Sequence, residues 1–405
     1  MSSARGHERL LGRANARVAA STLRLARRNP RRGDVAAIRE SLEHNGMYRP
    51  LVVNRPTMEV LAGNHTLRAI RELGWLEVDV YFVEVDEDTA RRILLTDNRT
   101  SDLAFNDAGD LVALLTELDD FEGTGYDQGD LDELLDEVDA DLEVEEDEVP
   151  PAVDEATTVP GELVVMGDHR LVCADARDPA VLERLTAGEQ AEVMWTDPPY
   201  GVSYTGKTSA ALTIAGDQPT GLEDLLAPAF AAADSVLTPG AAVYVAHPAG
   251  PHAALFMRAF TSAGWEIRQG LVWVKDSIVL GHGDYHYRHE PILYGYKPAP
   301  GRLGRGGAGW FGDNSQQSVF ELPRPRVSRD HPTMKPPELI AGALRNSTRR
   351  GALVLDPFAG SGSTLVACEQ LGRRARLIEI DPRYCDVIIE RFERLTGERA
   401  ERMAG

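Results

Sequence analysis

Ala352-Leu353-Val354-Leu355-Asp356-Pro357-Phe358-Ala359-Gly360-Ser361-Gly362-Ser363-Thr364 reads as a buried strand, a Gly/Ser turn and the start of a helix that runs on through Leu365-Val366-Ala367-Cys368-Glu369-Gln370-Leu371-Gly372. Glycines at such a turn let the backbone approach a ligand, and a helix start presents free N–H groups to it. A further strand, Arg376-Leu377-Ile378-Glu379-Ile380-Asp381, ends in acid roughly 20 residues after the glycines, where a Rossmann-type acid holds ribose hydroxyls. No lysine follows the glycines in the Walker position, which argues against a nucleoside triphosphate site. The pattern predicts an α/β fold with a mostly parallel sheet.

Upstream, the apolar run Val193-Met194-Trp195 leads into Thr196-Asp197-Pro198-Pro199-Tyr200. Two prolines fix φ and remove two backbone donors, so the chain can neither extend the sheet nor enter a helix at once. A carboxylate, a proline carbonyl and an aromatic ring at the carboxyl end of a strand form a pocket that accepts hydrogen bonds from an amino group while stacking on a planar ring. A nucleobase with an exocyclic amine fits such a pocket. Taken alone, the same five residues also read as a Pro-rich turn with an exposed Asp.

Together the two motifs resemble the S-adenosylmethionine-dependent, amino-methylating DNA methyltransferases, which carry Asp-Pro-Pro-Tyr as catalytic motif and Asp-Pro-Phe-x-Gly-x-Gly as cofactor motif. Here the catalytic motif comes first, the order of the family's permuted β group, and His331-Pro332-Thr333-Met334-Lys335-Pro336 matches that group too. The resemblance covers roughly residues 157–397 and implies a Rossmann-like methyltransferase domain. It implies catalytic roles for Asp197, Pro198, Pro199 and Tyr200. It implies cofactor contacts from Asp175, Ala176, Thr333, Lys335, Asp356, Phe358, Gly360, Gly362, Ser363, Thr364 and Glu379, with Asp175 and Ala176 beside the adenine and Thr333 and Lys335 near the carboxylate. Asp at the first motif position is typical of adenine N6 enzymes, whereas Ser is commoner in cytosine N4 enzymes. The expected activity is therefore methylation of adenine N6 in double-stranded DNA. The alternatives are cytosine N4, an RNA or protein substrate, or a DNA-binding regulator with an inactive methyltransferase half.

A net charge of −21 looks hostile to a DNA partner, but 24 of the 64 acidic residues and no Lys or Arg lie between Thr100 and Asp168, so the rest of the chain is close to neutral. The three cysteines, Cys173, Cys368 and Cys385, are too widely spaced for a zinc site or disulfide framework and suit a reducing cytoplasm. No apolar span is long enough for a membrane, so a soluble cytoplasmic protein is expected.

Three segments are expected: a small α+β domain over 20–105, an acidic helical segment and linker over 106–156, and the methyltransferase over 157–405. The start of the chain, with Arg5, Arg9, Arg13 and Arg17 at helical spacing, reads as a basic tail. Asp34 caps a helix that buries Val35, Ile38 and Leu42, and strands are read at Pro50–Asn54, Val60–Ala62 and Val78–Val85. With Gly63-Asn64-His65-Thr66 opening a second helix, this part resembles the ParB/sulfiredoxin-like domain. That resemblance puts Gly63, Asn64, His65 and Arg68 near a nucleotide-phosphate or DNA-phosphate site; the residues alone also read as a capped turn with an exposed Arg. In the acidic region, Leu111–Leu115 and Leu131–Val138 have helical periodicity, and Asp139–Glu148 reads as a self-repelling extended linker, either a spacer or a DNA mimic.

Within the methyltransferase, Leu163–Asp175 reads as a hairpin and Gly201–Lys207 as a DNA-ordered loop that brings Lys207 to phosphate. His282 to His289 is dense in polar and aromatic side chains. His282, Asp284, His286 and His289 allow a metal reading, but no metal is expected, and His286 and Arg288 are assigned to DNA. Gly301–Arg329, rich in Gly, Arg, Asn and Gln with Trp310 and Phe311, suits phosphate contact and base-edge readout. A homodimer is allowed for.

Overall fold

The computed structural model describes residues 11–153, 155–201, 221–279, 284–301, 307, 309–323 and 334–403. The chain divides into two compact units, Met1–Val138 and Asp139–Gly405.

The first unit contains strands β1 (Leu11–Ala19), β2 (Leu51–Asn54), β3 (Glu59–Ala62) and β4 (Glu77–Glu84), in sheet order β1-β4-β2-β3. Its helices are α1 (Val35–Asn45), α2 (Asn64–Glu72), α3 (Glu87–Asp102), α4 (Ala108–Thr116) and α5 (Gln128–Asp141). Asp34 caps α1 by accepting from Ala36 N and Ala37 N, and α1 and α2 pack Leu42, Leu67 and Ile70 onto Leu51, Val53, Val60 and Val80 of the sheet. The basic tail expected at the start is in fact β1 from Leu11 onward, antiparallel to β4. Arginines four apart mimic a helical face, yet Arg17 here lies opposite Asp79 and pairs with it at 3.1 Å.

The second unit is a ten-stranded sheet with helices on both faces. Its strands are β5 (Leu163–Met166), β6 (His169–Cys173), β7 (Ala191–Thr196), β8 (Leu237–Ala246), β9 (Glu266–Val279), β10 (Tyr287–Tyr296), β11 (Val319–Glu321), β12 (Leu353–Asp356), β13 (Arg374–Glu379) and β14 (Glu401–Met403). Their order is β11-β9-β10-β8-β7-β12-β13-β6-β5-β14. The central five, β8-β7-β12-β13-β6, are mutually parallel; β10 runs antiparallel between β8 and β9, and β5 and β6 form the expected hairpin.

Helices α6 (Pro179–Thr186), α7 (Leu222–Asp234) and α8 (Ala253–Ser262) bury one sheet face through Leu182, Leu226, Phe230, Phe256 and Phe260. Helices α9 (Pro337–Ser347), α10 (Ser363–Gln370) and α11 (Pro382–Thr396) bury the other through Leu339, Leu344, Leu365, Cys368, Ile388 and Phe392. The chain leaves β7 for α7 on one face and leaves β12 for α10 on the other. These two neighbouring strands therefore bound the crevice where an open parallel sheet binds its ligands, beyond their carboxyl ends.

The charge-dense stretch after α5 is extended, as its composition demands, but it is not a free spacer. Val144 is buried in the core under α9, its N–H bonds Glu338 at 2.9 Å, and Asp147 pairs with Arg391 of α11. Charge density alone concealed one apolar anchor and one acid with a dedicated partner.

Candidate active site

Strand β7 is buried along most of its length and stops where the prolines remove its donors, which sets Asp197 and Tyr200 at the crevice. The loop is held from behind: Tyr200 O is 3.0 Å from His252 Nδ1, and the Tyr200 ring meets Phe256 edge-on at 6.0 Å. Asp197 Oδ2 accepts from Lys335 Nζ at 2.5 Å. Lys335 also pairs with Glu290 Oε2 at 3.0 Å and lies 5.3 Å from the centre of the Tyr200 ring. Glu290 in turn pairs with Lys275 through Oε1 and accepts from the Tyr200 hydroxyl at 3.2 Å. The other Asp197 oxygen, Oδ1, is buried with no hydrogen-bond partner among the described residues.

This two-acid, two-base cluster has a definite electrostatic order. Burial pushes the Asp197 carboxyl above its ordinary range, with Lys335 pulling it back and Glu290 adding to the rise. Burial acts on Glu290 in the same direction, but Lys335 and Lys275 hold it at about 2. Burial would lower Lys335, yet the two carboxylates beside it raise it, so it stays charged. Tyr200 is pushed well up, first by burial and then by the two acids, and stays a neutral phenol. Asp197 Oδ1 is thus an unspent acceptor among the described residues, in a site already balanced for charge.

Across the crevice, the turn after β12 is fastened to the same loop. Asp356, only 3% exposed, accepts from Thr196 Oγ1 at 2.9 Å, from Phe358 N at 3.1 Å and from Thr364 Oγ1 at 2.6 Å. Burial pushes its pKa up to about 6 against these donors. Gly360 and Gly362 lie at φ 54° and 89°, and a Cβ at Gly362 would meet Ile388 of α11 at 3.0 Å. No side chain caps α10, and Ser363 Oγ is buried without a partner among the described residues. Glu379, at the end of β13, accepts from Gly360 N and Asp381 N, each at 2.8 Å, and burial pushes it up to about 7. Uncapped helix N–H groups, an orphan hydroxyl and a carboxylate with lone pairs to spare form a cradle for a ligand with both anionic and hydroxyl groups.

Other assigned residues have partners within the fold. Asp356 and Thr364, assigned to the cofactor, bond each other, and Asp356 also accepts from Thr196 at the end of β7 and from Phe358 N in the turn after β12. Lys335, assigned to the cofactor carboxylate, is committed to Asp197 and Glu290. Asp175 is held by Arg177 in a two-pronged pair, with Nη2 to Oδ2 at 2.6 Å, while Ala176 is buried beside it and Phe358 packs against the same core. Trp310, assigned to DNA, is half-buried against the core and lies 6.3 Å from Tyr294, next to the Tyr294–Tyr244 stack. His286 and Arg288 are exposed, just before and within the start of β10, close in sequence to Glu290. Lys207, Thr333 and His282 lie outside the described residues. Among the described residues no group of three His, Cys, Asp or Glu side chains is arranged to hold a metal.

Glu290 and Lys275 were missed in the sequence. Their signal is a lone acid at the start of Pro291-Ile292-Leu293-Tyr294 and a lone base at the end of Leu271-Val272-Trp273-Val274; only the antiparallel register, Glu290 opposite Trp273, brings the two together.

In the first unit, Gly63 (φ 91°) begins α2 without a side-chain cap, and a Cβ there would strike Leu51 at 2.5 Å. His65 Nε2 accepts from Gly33 N at 3.1 Å. Burial first, then Arg68, Arg31 and Arg32, hold the His65 pKa below its ordinary value. The imidazole is therefore neutral amid three guanidinium groups.

A doubly covered parallel sheet, with an acid-proline-proline-tyrosine loop and a glycine turn at adjacent strand ends, defines a Rossmann-like methyltransferase. Residues 191–390 match the family model described as DNA methylase, and residues 12–99 match that of the ParB N-terminal domain. The putative methylase YubD of Escherichia coli K12 is 32% identical over 204 residues, covering 49% of this chain and 79% of YubD. The DNA adenine methyltransferase YhdJ of the same organism is 28% identical over 254 residues, 56% of this chain and 83% of YhdJ. Type II methyltransferase M.XycI of Xanthomonas campestris pv. cyanopsidis is 29% identical over 146 residues, and the match spans 47% of that relative's length. The chain belongs to the DNA methylase family and carries a ParB N-terminal domain ahead of its methylase domain.

Proposed function

We propose that the protein methylates the N6 amine of adenine in double-stranded DNA with S-adenosylmethionine as donor. The observation that carries this reading is the buried Asp197 Oδ1 beside Tyr200, an acceptor with no hydrogen-bond partner among the described residues. A base flipped from the duplex presents its amine to this oxygen and to the Pro198 carbonyl while its ring lies on Tyr200. Accepting the amine hydrogens raises electron density on nitrogen and aims its lone pair across the crevice. Lys335 keeps Asp197 ionised, and Glu290 holds Lys335 and the Tyr200 hydroxyl in place. Pro199 fixes the turn between them.

The cradle after β12 fits the donor. Glu379 suits ribose hydroxyls, the start of α10 with Ser363 suits a carboxylate, and Gly360 and Gly362 leave room for both. When bound, S-adenosylmethionine supplies an electrophilic methyl group to the amine. Adenine is favoured by Asp197 at the first motif position and by the likeness to YhdJ, a DNA adenine methyltransferase. His286 and Arg288, exposed near the site, and the His65–Arg68 cluster of the first unit suit phosphate. The test is mass spectrometry of nucleosides from duplex DNA treated with purified protein and S-adenosylmethionine. N6-methyladenine is expected; N4-methylcytosine alone would overturn the choice of base, and no methylated base would overturn the activity.

A further inference from the structure

The acidic segment preceding the sheet makes more specific contacts with the methylase unit than a spacer requires. Glu145 and Gln370 of α10 form a closed pair, main-chain N–H to Oε1 and Nε2 to main-chain carbonyl, both at 2.9 Å. Glu338 and Arg345 of α9 hold the backbone of Val144 and Leu142. Three residues after Val144, Asp147 meets Arg391 of α11 with both oxygens, at 2.7 and 2.5 Å. The Arg391 side chain is 0% exposed, and its remaining Nη1 donates to the carbonyl of Ser361 at 2.6 Å. Ser361 lies between the two positive-φ glycines of the cradle.

We infer that Asp147 is a positioning residue for the cofactor turn, acting through Arg391. A turn with two left-handed glycines has little side-chain packing of its own to define its path. Ile388 closes on Gly362 from α11, and Arg391, one helical turn further along that face, fixes the Ser361 carbonyl. A buried guanidinium keeps one orientation only if its other donors are satisfied, and Asp147 is the carboxylate that occupies them as a two-pronged pair. The acid comes from the segment that leads out of α5. The stretch with the densest negative charge in the chain thus supplies an internal counter-ion to the cradle wall, and Asp147 is not available as a DNA mimic.

This inference rests on the proposed cofactor reading, and its test separates the two. Full-length Asp147→Asn, Asp147→Glu and Arg391→Lys proteins are compared with wild type by calorimetric titration of S-adenosylmethionine, by amide exchange without cofactor, and by DNA affinity. Asp147→Asn should weaken the cofactor about tenfold, the low end of what a lost charge-assisted hydrogen bond produces. It should also speed exchange at residues 360–364, leaving exchange in β7 and DNA affinity unchanged. Asp147→Glu should restore most of the loss. Arg391→Lys, which keeps the charge but has no fork to span both partners, should match Asp147→Asn. Cofactor affinity and exchange within twofold of wild type in either folded variant would overturn the inference. So would failure of both to fold, which would mark the pair as a fastening of the whole unit. Should wild type itself bind no S-adenosylmethionine, the cofactor reading fails, and the exchange data still decide whether Asp147 positions the turn.

Discussion

Replacing Lys335 with Met removes the one cation among the described residues that touches both acids of the site while keeping most of the side-chain volume at a position 4% exposed. Its Nζ is 2.5 Å from Asp197 and 3.0 Å from Glu290. Glu290 keeps Lys275, but among the described residues Asp197 keeps no cationic partner. An opposite charge at this range lowers a carboxyl pKa by roughly 1–3 units, so its loss should raise Asp197 by about that much, or about 1.4–4 kcal/mol of preference for the protonated form. Burial has already lifted this group above its ordinary value, so the rise starts from an elevated base. Protonated Asp197 accepts poorly from an amine. The acidic limb of the methyl-transfer profile should therefore move upward by about 1–3 pH units, with activity recovering as pH rises, while Lys335→Arg stays near wild type. The assay is the initial rate of methyl incorporation into duplex DNA from pH 5.5 to 9.5 at saturating cofactor. An unmoved limb would refute the reasoning. A raised KM for S-adenosylmethionine with the limb in place would return Lys335 to the cofactor carboxylate.

Asp197→Ala should lose methyl transfer to background while keeping cofactor affinity, checked by titration, and its thermal midpoint in scanning calorimetry should fall, because the buried Lys335 loses one of its two carboxylate partners and keeps Glu290. Glu379, at about 7 in the free protein, should bind ribose hydroxyls best when ionised. Affinity for S-adenosylmethionine should thus fall as pH drops below about 7, by up to about tenfold per unit, and Glu379→Gln should flatten that profile in isothermal titrations. For stability the sign is opposite: a raised carboxyl stabilises the cofactor-free fold below about 4.5 and loses that contribution as pH rises through about 7. A chain begun at residue 139 should unfold at higher denaturant than one begun at 151, because the shorter chain loses Val144 from the core, the Glu145–Gln370 pair and the Asp147 partner of Arg391 together; equal midpoints would contradict the docking of this segment.

The parallel core was legible because its strands are short apolar runs closed by residues that cannot continue a strand: Pro198 after β7, Pro357 after β12, Asp175 beyond β6. Such punctuation is local, and it placed Asp197 and the glycine turn correctly at strand ends. What the residues do there was less legible. Asp356 and Glu379 look alike in sequence, each an acid closing a buried strand, but Thr196 and Thr364 converge on the first alone. Glu290 meets Lys275 through a strand register, and Lys335 meets Asp197 and Glu290 across the fold, so no single segment encodes the cluster. β1 was hidden by arginines whose spacing suits a helix equally well, and Val144 and Asp147 by the charges around them.

The strap that carries Asp147 also governs how the protein can be taken apart. Between Arg99 and Arg170 there is no lysine or arginine, so trypsin leaves Thr100–Arg170 as one peptide and cannot cut within the segment that joins the two units. A glutamyl endopeptidase meets Glu143, Glu145, Glu146 and Glu148 in quick succession, on both sides of Val144 and Asp147. Cleavage there severs the counter-ion from the chain ahead of it and, at the last of these bonds, from the chain behind it. The choice of protease thus decides whether a preparation of the methylase unit retains the wall of its own cradle.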